Sequence, residues 1–304
     1  MMLIRLAACA LTLIALPLLA KPFIAYDREG DVYVYDIGAR RHTNLTDDPA
    51  NDVKPTWSGD GKQIAFLSNR DGMRDLYAVD ADGRRVRRLT NSPERESEPA
   101  WSPNSRYIAY TLYSDDPDAL TPVVLLDVRT GEERAITAGT GVADLATSWF
   151  PSSDRILFSR RGRGFGTYAV DIRGGVEERV RGGYEPTLSP DGRRIAYRWP
   201  RDGGLDHEIR LLDIATDEHE VVPMELPWPP QMATWTATGD RLLVAIIGGG
   251  PYFLVDVDSG QHEELPFESS WARWFDPDHP RSVSPMGRRS VTWGWLRRLG
   301  VPAQ

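Results

Sequence analysis

Pro55–Thr90, PTWSGDGKQIAFLSNRDGMRDLYAVDADGRRVRRLT, decides the architecture of this chain. It opens with an aromatic anchor, Trp57, and a turn, Ser58-Gly-Asp-Gly61. A short apolar run follows, Ile64-Ala-Phe66, then a gap and a second run ending at Asp80. The first run recurs as Phe23-Ile-Ala-Tyr26, Ile108-Ala-Tyr110, Ile156-Leu-Phe158, Ile195-Ala-Tyr197 and Leu242-Leu-Val244. The second recurs in runs ending at Asp36, Asp127, Asp171, Asp213 and Asp256. Short runs of β-branched, aromatic and small apolar residues suit strands buried between neighbouring sheets. A period of roughly 20–50 residues built from such strands marks a repeat architecture, here a β-propeller.

The anchors Trp57, Trp101, Trp149, Leu188, Trp235 and Trp274 are spaced by 44, 48, 39, 47 and 39 residues, which suits one four-stranded sheet per repeat. A turn follows most of them, as in Ser102-Pro-Asn-Ser105, Ser189-Pro-Asp-Gly192 and Thr236-Ala-Thr-Gly239. Proline presets φ there, and Asp or Asn followed by Gly completes the reversal. Asp80-Ala-Asp-Gly83 and Asp256-Val-Asp-Ser-Gly260 lack the ligand spacing of a calcium loop and read as hairpin turns. Tryptophans at a repeated position beside a turn are expected to pack between blades. The first strand pair, residues 23–46, has no anchor, and the last anchor, Trp274, has no strand pair after it. Joining them predicts an all-β, six-bladed propeller closed by a C-terminal strand that completes the N-terminal blade. Val283, before the turn-like Ser284-Pro-Met-Gly-Arg288, is the alternative closing residue. Closure removes a sheet edge that would otherwise be open to aggregation.

Residues 1–20 have the layout of a secretory signal peptide: a short n-region with Arg5, an apolar run from Leu6 to Leu19, and small Ala20. The expected organisation is signal peptide 1–20, propeller 21–281 and C-terminal tail 282–304. The sole cysteine, Cys9, lies in the leader, so no disulfide is expected in the mature protein. The net charge is −8, and no long Lys/Arg run occurs, which argues against nucleic-acid binding. The expected location is the periplasm, with extracellular secretion as the alternative, without stable membrane insertion once the leader is cleaved.

The string W-S-P-D-G-K/R-x-I-A-F, followed by D-x-x-D-L-Y-x-x-D and R-x-L-T, resembles the repeat of TolB-type β-propellers. The resemblance covers about residues 23–276 and is clearest in the second repeat. It implies a six-bladed propeller of the bacterial cell envelope. The same repeat also occurs as the non-catalytic propeller of prolyl-oligopeptidase-like proteases. TolB itself has a small α/β domain before its propeller. The short interval between Ala20 and Phe23 leaves that domain without a counterpart, so a TolB-like propeller is expected, not TolB.

No motif carries chemistry outright. There is no G-x-S-x-G elbow and no H-E-x-x-H, and Gly162-Arg-Gly-Phe-Gly166 lacks dinucleotide-fingerprint spacing. The expectation is a non-enzyme without cofactor or metal, acting as a monomeric protein- or peptide-binding module. A channel-centred metal-dependent hydrolase of the lactonase or esterase kind is the runner-up, and a carbohydrate-binding propeller a third reading. The working face is expected where loops approach the inner strands. Glu94, Glu98, Asp144 and Glu185 share one sign of charge there, which fits a cationic peptide or protein partner. Trp228, within Leu226-Pro-Trp-Pro-Pro230, and Trp271 are the candidate aromatic anchors.

Overall fold

The structure is a computed structural model and describes residues 22–113, 121–139, 143–162, 164–201, 206–269 and 271–277. The expected leader 1–20, the expected tail 282–304 and the alternative closing residue Val283 lie outside them. The first blade begins with β1 (Phe23–Arg28), β2 (Asp31–Asp36) and β3 (Arg41–Asn44). The second holds β4 (Val53–Trp57), β5 (Gln63–Ser68), β6 (Asp75–Asp80) and β7 (Arg87–Arg88). The third holds β8 (Arg95–Trp101), β9 (Tyr107–Tyr113), β10 (Val123–Asp127) and β11 (Glu133–Ala135). The fourth holds β12 (Ala143–Trp149), β13 (Arg155–Arg161), β14 (Gly166–Asp171) and β15 (Glu178–Val180). The fifth holds β16 (Tyr184–Leu188), β17 (Arg194–Pro200), β18 (His207–Asp213) and β19 (Glu218–Val221). The sixth holds β20 (Pro230–Trp235), β21 (Arg241–Ile246), β22 (Pro251–Asp256) and β23 (His262–Glu268). Finally β24 (Ala272–Phe275) pairs antiparallel with β1, Ile24 opposite Trp274, and closes the ring.

All six sheets are antiparallel meanders of four strands, as the repeat predicts. The second strand of each blade is deeply buried: Ile24, Ile64, Phe66, Ile108, Ile156, Phe158 and Leu242 have no exposed surface. The anchors Trp57, Trp101, Trp149, Leu188, Trp235 and Trp274 are all buried, at the innermost strand of each blade. Trp149 Nε1 donates to the Ala100 carbonyl at 2.9 Å and Trp235 Nε1 to the Thr187 carbonyl at 3.1 Å, each on the preceding blade. These two indoles therefore supply inter-blade hydrogen bonds as well as apolar area, whereas those of Trp57, Trp101 and Trp274 contribute area without a partner for Nε1 among the described residues.

Two motif elements acquire physical meanings. After three anchors a serine hydroxyl accepts the backbone N–H five residues on: Ser58 from Gln63, Ser102 from Tyr107 and Ser189 from Arg194. Each hydroxyl donates in turn to Asp60, Asn104 or Asp191, so the turn carries its own hydrogen-bond network. The closing threonines Thr46, Thr90 and Thr137 accept the N–H of Val32, Leu76 and Val123, at the start of each blade's third strand. The Asp80–Gly83 segment is a turn, with Gly83 N–H donating to the Asp80 carbonyl and Gly83 at φ +80°.

Candidate axial binding site

The innermost strands share an irregularity that places charge at the mouth of the channel. Lys54, Glu98 and Glu185 each precede a proline, Pro55, Pro99 or Pro186. Each has positive φ, +54°, +53° and +50°, and at each the register with the second strand slips. A left-handed backbone before proline is unfavourable for residues with a Cβ. A bulge breaks the alternation of side chains and re-aims one of them, and strain of this kind clusters at working sites. The same bulge in blades two, three and five points three charged side chains inward from equivalent positions.

These side chains meet. Lys54 Nζ lies 2.5 Å from Glu98 Oε1 and 3.0 Å from Ser97 Oγ, across the boundary between blades two and three. It also stands 5.0 Å over the ring of Trp271, and the Arg273 guanidinium lies 4.0 Å from the same ring. The indole is thus bracketed by two cations, an arrangement that its face potential favours. Asp27 fixes this corner: its carboxylate accepts the Lys54 N–H, the Trp271 N–H and the Ser269 hydroxyl. Glu185 Oε1 lies 3.7 Å from Arg198 and 3.8 Å from Arg161, beyond hydrogen-bond range. Its Oε2 and the Nε of Arg198 are buried without a hydrogen-bond partner among the described residues. Burial pushes the Glu185 carboxyl up; Arg198 and Arg161 oppose the rise, and Glu98 reinforces it. Groups on blades three, four and five therefore act on one another across the axis.

The expected acidic ring needs correction. Lys54, Arg161, Arg198 and Arg273 interleave with Glu98 and Glu185, so the mouth carries both signs. The reason is cross-blade partnering, which linear spacing does not display. Asp144 is fully buried, with both oxygens held at 2.7 Å by the Arg160 Nε and Nη2. It fastens its blade and does not meet the mouth group. Glu94 sits half-buried on the loop before β8, its N–H donating to Ser92 Oγ. Trp271 joins the mouth, whereas Trp228 lines a separate cleft on blades five and six. Reading the sequence for acids alone missed Lys54, Arg198 and Arg273; the signal for Lys54 is its place before Pro55, matching Glu98 and Glu185.

Two histidines have structural partners. His42 Nδ1 bonds the Tyr26 hydroxyl at 2.8 Å, and His219 Nδ1 bonds that of Tyr197 at 2.6 Å, on the outermost strands of blades one and five. Among the described residues, no group of three or more His, Cys, Asp or Glu side chains is placed to hold a metal ion. Nor is any helix there long and apolar enough to cross a membrane.

Six four-stranded blades, a ring closed by the last strand and a mouth built on bulged inner strands define the class: a closed six-bladed β-propeller. A profile described as the TolB beta propeller domain matches residues 23–184, more than half of the chain, and the chain belongs to that family. A search of curated proteins finds no match. The structure is similar to that of TolB from Acinetobacter baumannii, at 18% identity and a TM-score of 0.68. That match covers 83% of this chain and 66% of the Acinetobacter protein, so the chain spans just under two thirds of its relative. A chain from Agrobacterium tumefaciens assigned as TolB is similar at 20% identity and a TM-score of 0.66, covering 86% of this chain and 95% of that one. A puromycin-hydrolyzing peptidase from Mycobacterium tuberculosis is similar at 20% identity and a TM-score of 0.60, covering 79% of this chain but 42% of the peptidase. At these identities the likeness concerns the fold.

Proposed function

We propose that this propeller is a non-catalytic protein- or peptide-binding module of the periplasm serving the cell envelope, and that it engages its partner at the axial mouth. It would reach the periplasm by cleavage of residues 1–20. The observation that carries the reading is the pairing of two unmet needs in one place. Glu185 Oε2 requires a donor and Arg198 Nε an acceptor, and both are buried. Buried polar groups left unpaired are costly, so a partner that satisfies both gains affinity and selectivity together. The bracketed Trp271 beside them offers an anchor of the type that dominates interfaces. The two-signed mouth favours a partner segment carrying a cation toward Glu98 and Glu185 and an acceptor toward Arg198. Membership of the TolB β-propeller family and the fold shared with TolB structures support the envelope setting.

The test is affinity capture from an envelope extract with the wild-type protein, a Glu98→Lys/Glu185→Lys variant and an Asp82→Lys/Asp191→Lys variant of the opposite face. Capture should fail for the first variant and persist for the second. Retention by the mouth variant with loss by the opposite-face variant would sink the assignment.

A further inference from the structure

A second recess lies away from the axis. The connection from blade five to blade six, residues 222–229, folds over the start of β18 and leaves an open cleft of about 480 Å³. Its ends are held by the sixth blade. The Pro229 carbonyl accepts the Ile247 N–H at 2.9 Å, and Pro223 packs so closely on Gly260 that a Cβ there would lie 1.9 Å from its carbonyl oxygen. Trp228 forms one wall and is 62% exposed. Pro227, Pro229 and Pro230 flank it. Each proline fixes φ, so the indole is presented with little conformational freedom left to lose on binding. Trp228 is not needed for the core, and a rigidly mounted exposed indole has no structural purpose evident in its contacts.

The opposite wall is polar: Arg201, Asp206, His207 and Glu208, with Glu225 on the rim beside Trp228. Glu208 is committed, since one oxygen accepts Arg201 Nε at 3.1 Å and the other Arg210 Nε at 2.6 Å. His207 Nδ1 is buried with no hydrogen-bond partner among the described residues. The cleft therefore offers a flat apolar face and an exposed carboxylate, with His207 in its wall. A pyranose ring has the complementary form, with an apolar C–H face and a rim of hydroxyls. The charges decide which sugar. Glu208 holds Arg201 and Arg210, and Arg201 also lies 3.6 Å from Asp206, so Glu225 is the lining charge left without an ion pair among the described residues; a uronic acid is disfavoured there and an amino sugar favoured.

We infer that this cleft is a saccharide-binding subsite for hexosamine-containing oligosaccharides, with the ring stacked on Trp228 and the ammonium directed to Glu225. The site is independent of the axial mouth. It gives the protein a glycan contact in addition to any protein partner.

The experiment is isothermal titration of the full chain with glucosamine oligosaccharides, and with galacturonate oligosaccharides as the acidic counterpart. Glucosamine oligomers should bind and galacturonate oligomers should not. Trp228→Ala should weaken binding roughly tenfold or more, in line with the loss of one aromatic contact. Trp228→Phe should keep most of it, and Glu225→Gln should weaken it for the amino sugar. An unchanged melting temperature of Trp228→Ala, whose side chain is exposed, excludes misfolding as the cause. The Glu98→Lys/Glu185→Lys variant should bind the sugar normally, which separates this test from that of the axial mouth. Absence of glucosamine-oligomer binding at millimolar concentration, equal binding by Trp228→Ala, or tighter binding of the galacturonate oligomer would each overturn the inference.

Discussion

Phe275→Ala is the sharpest perturbation of ring closure, because one side chain of the closing strand touches the other side of the joint. Phe275 is buried, and its ring stacks on Trp57 of the second blade with centroids 5.0 Å apart. It rests on Gly61 so closely that a Cβ at that position would lie 1.9 Å from Cζ. Its neighbour Trp274 points to the opposite side and packs with Leu243 and Tyr252 of the sixth blade. The two side chains thus bolt blade one to blades two and six. Removing a buried phenylalanine costs about 3–5 kcal/mol through lost transfer energy and the cavity left behind. At about 2.1 cal/mol/K of unfolding entropy per residue, about 4 kcal/mol lowers the melting temperature of a ring this size by roughly 7 °C. Urea denaturation followed by tryptophan emission, with calorimetry alongside, measures both quantities. Gly61→Ala supplies the coupling control. It combines a positive φ of +68° with a clash against Phe275, so it should cost less in the Phe275→Ala background than alone. An unchanged urea midpoint for Phe275→Ala, or full additivity of the pair, would refute the docking of β24 against blade two.

Two further outcomes follow from the buried charges. Asp144→Ala should cost at the lower end of about 3–5 kcal/mol, because Arg160 then keeps Glu177 as its partner, whereas Asp144→Leu with Arg160→Met and Glu177→Gln should recover most of the loss; thermal unfolding of the two variants against wild type decides it. Burial pushes the Glu96 carboxyl up to about 8, while in the unfolded chain it ionises in the ordinary carboxylate range. Its contribution is therefore complete at low pH, falls as pH rises by at most about 1.4 kcal/mol per pH unit, and levels off above about 8. Glu96→Gln still presents an oxygen to the Leu76 N–H and Thr90 hydroxyl. It should flatten the stability profile between pH 5 and 8, and an unchanged slope would show that Glu96 is not its source.

The fold was legible because the repeat writes each element several times over. Trp57 alone is ambiguous between core and ligand contact, but Trp57, Trp101, Trp149 and Trp235 at matching places admit one reading, and all four are buried. Closure was legible from a mismatch in counting, a strand pair without an anchor and an anchor without a strand pair, and Trp274 opposite Ile24 confirms it. The turn serines and closing threonines were visible as letters, but their accepting roles depend on which N–H the strand register leaves open.

The mouth was legible only in part, and the reason is physical. Acids at the approach to inner strands stand out in a linear reading; their partners do not, because they arrive from other strands or other blades. Asp144 is answered by Arg160 on the adjacent strand, Glu98 by Lys54 one blade away, and Glu185 faces Arg161 from the preceding blade. Sequence separation of sixteen or more residues hides each pair. What survives this cancellation is the informative remainder: an oxygen of Glu185 and a nitrogen of Arg198 that no blade supplies with a partner. Single unpaired atoms occur elsewhere among the described residues too, as at Asp52, Glu96 and the indoles of Trp57, Trp101 and Trp274, but at Glu185 and Arg198 an acceptor and a donor stand unmet on neighbouring strands, where a partner's own donors and acceptors have most to contribute.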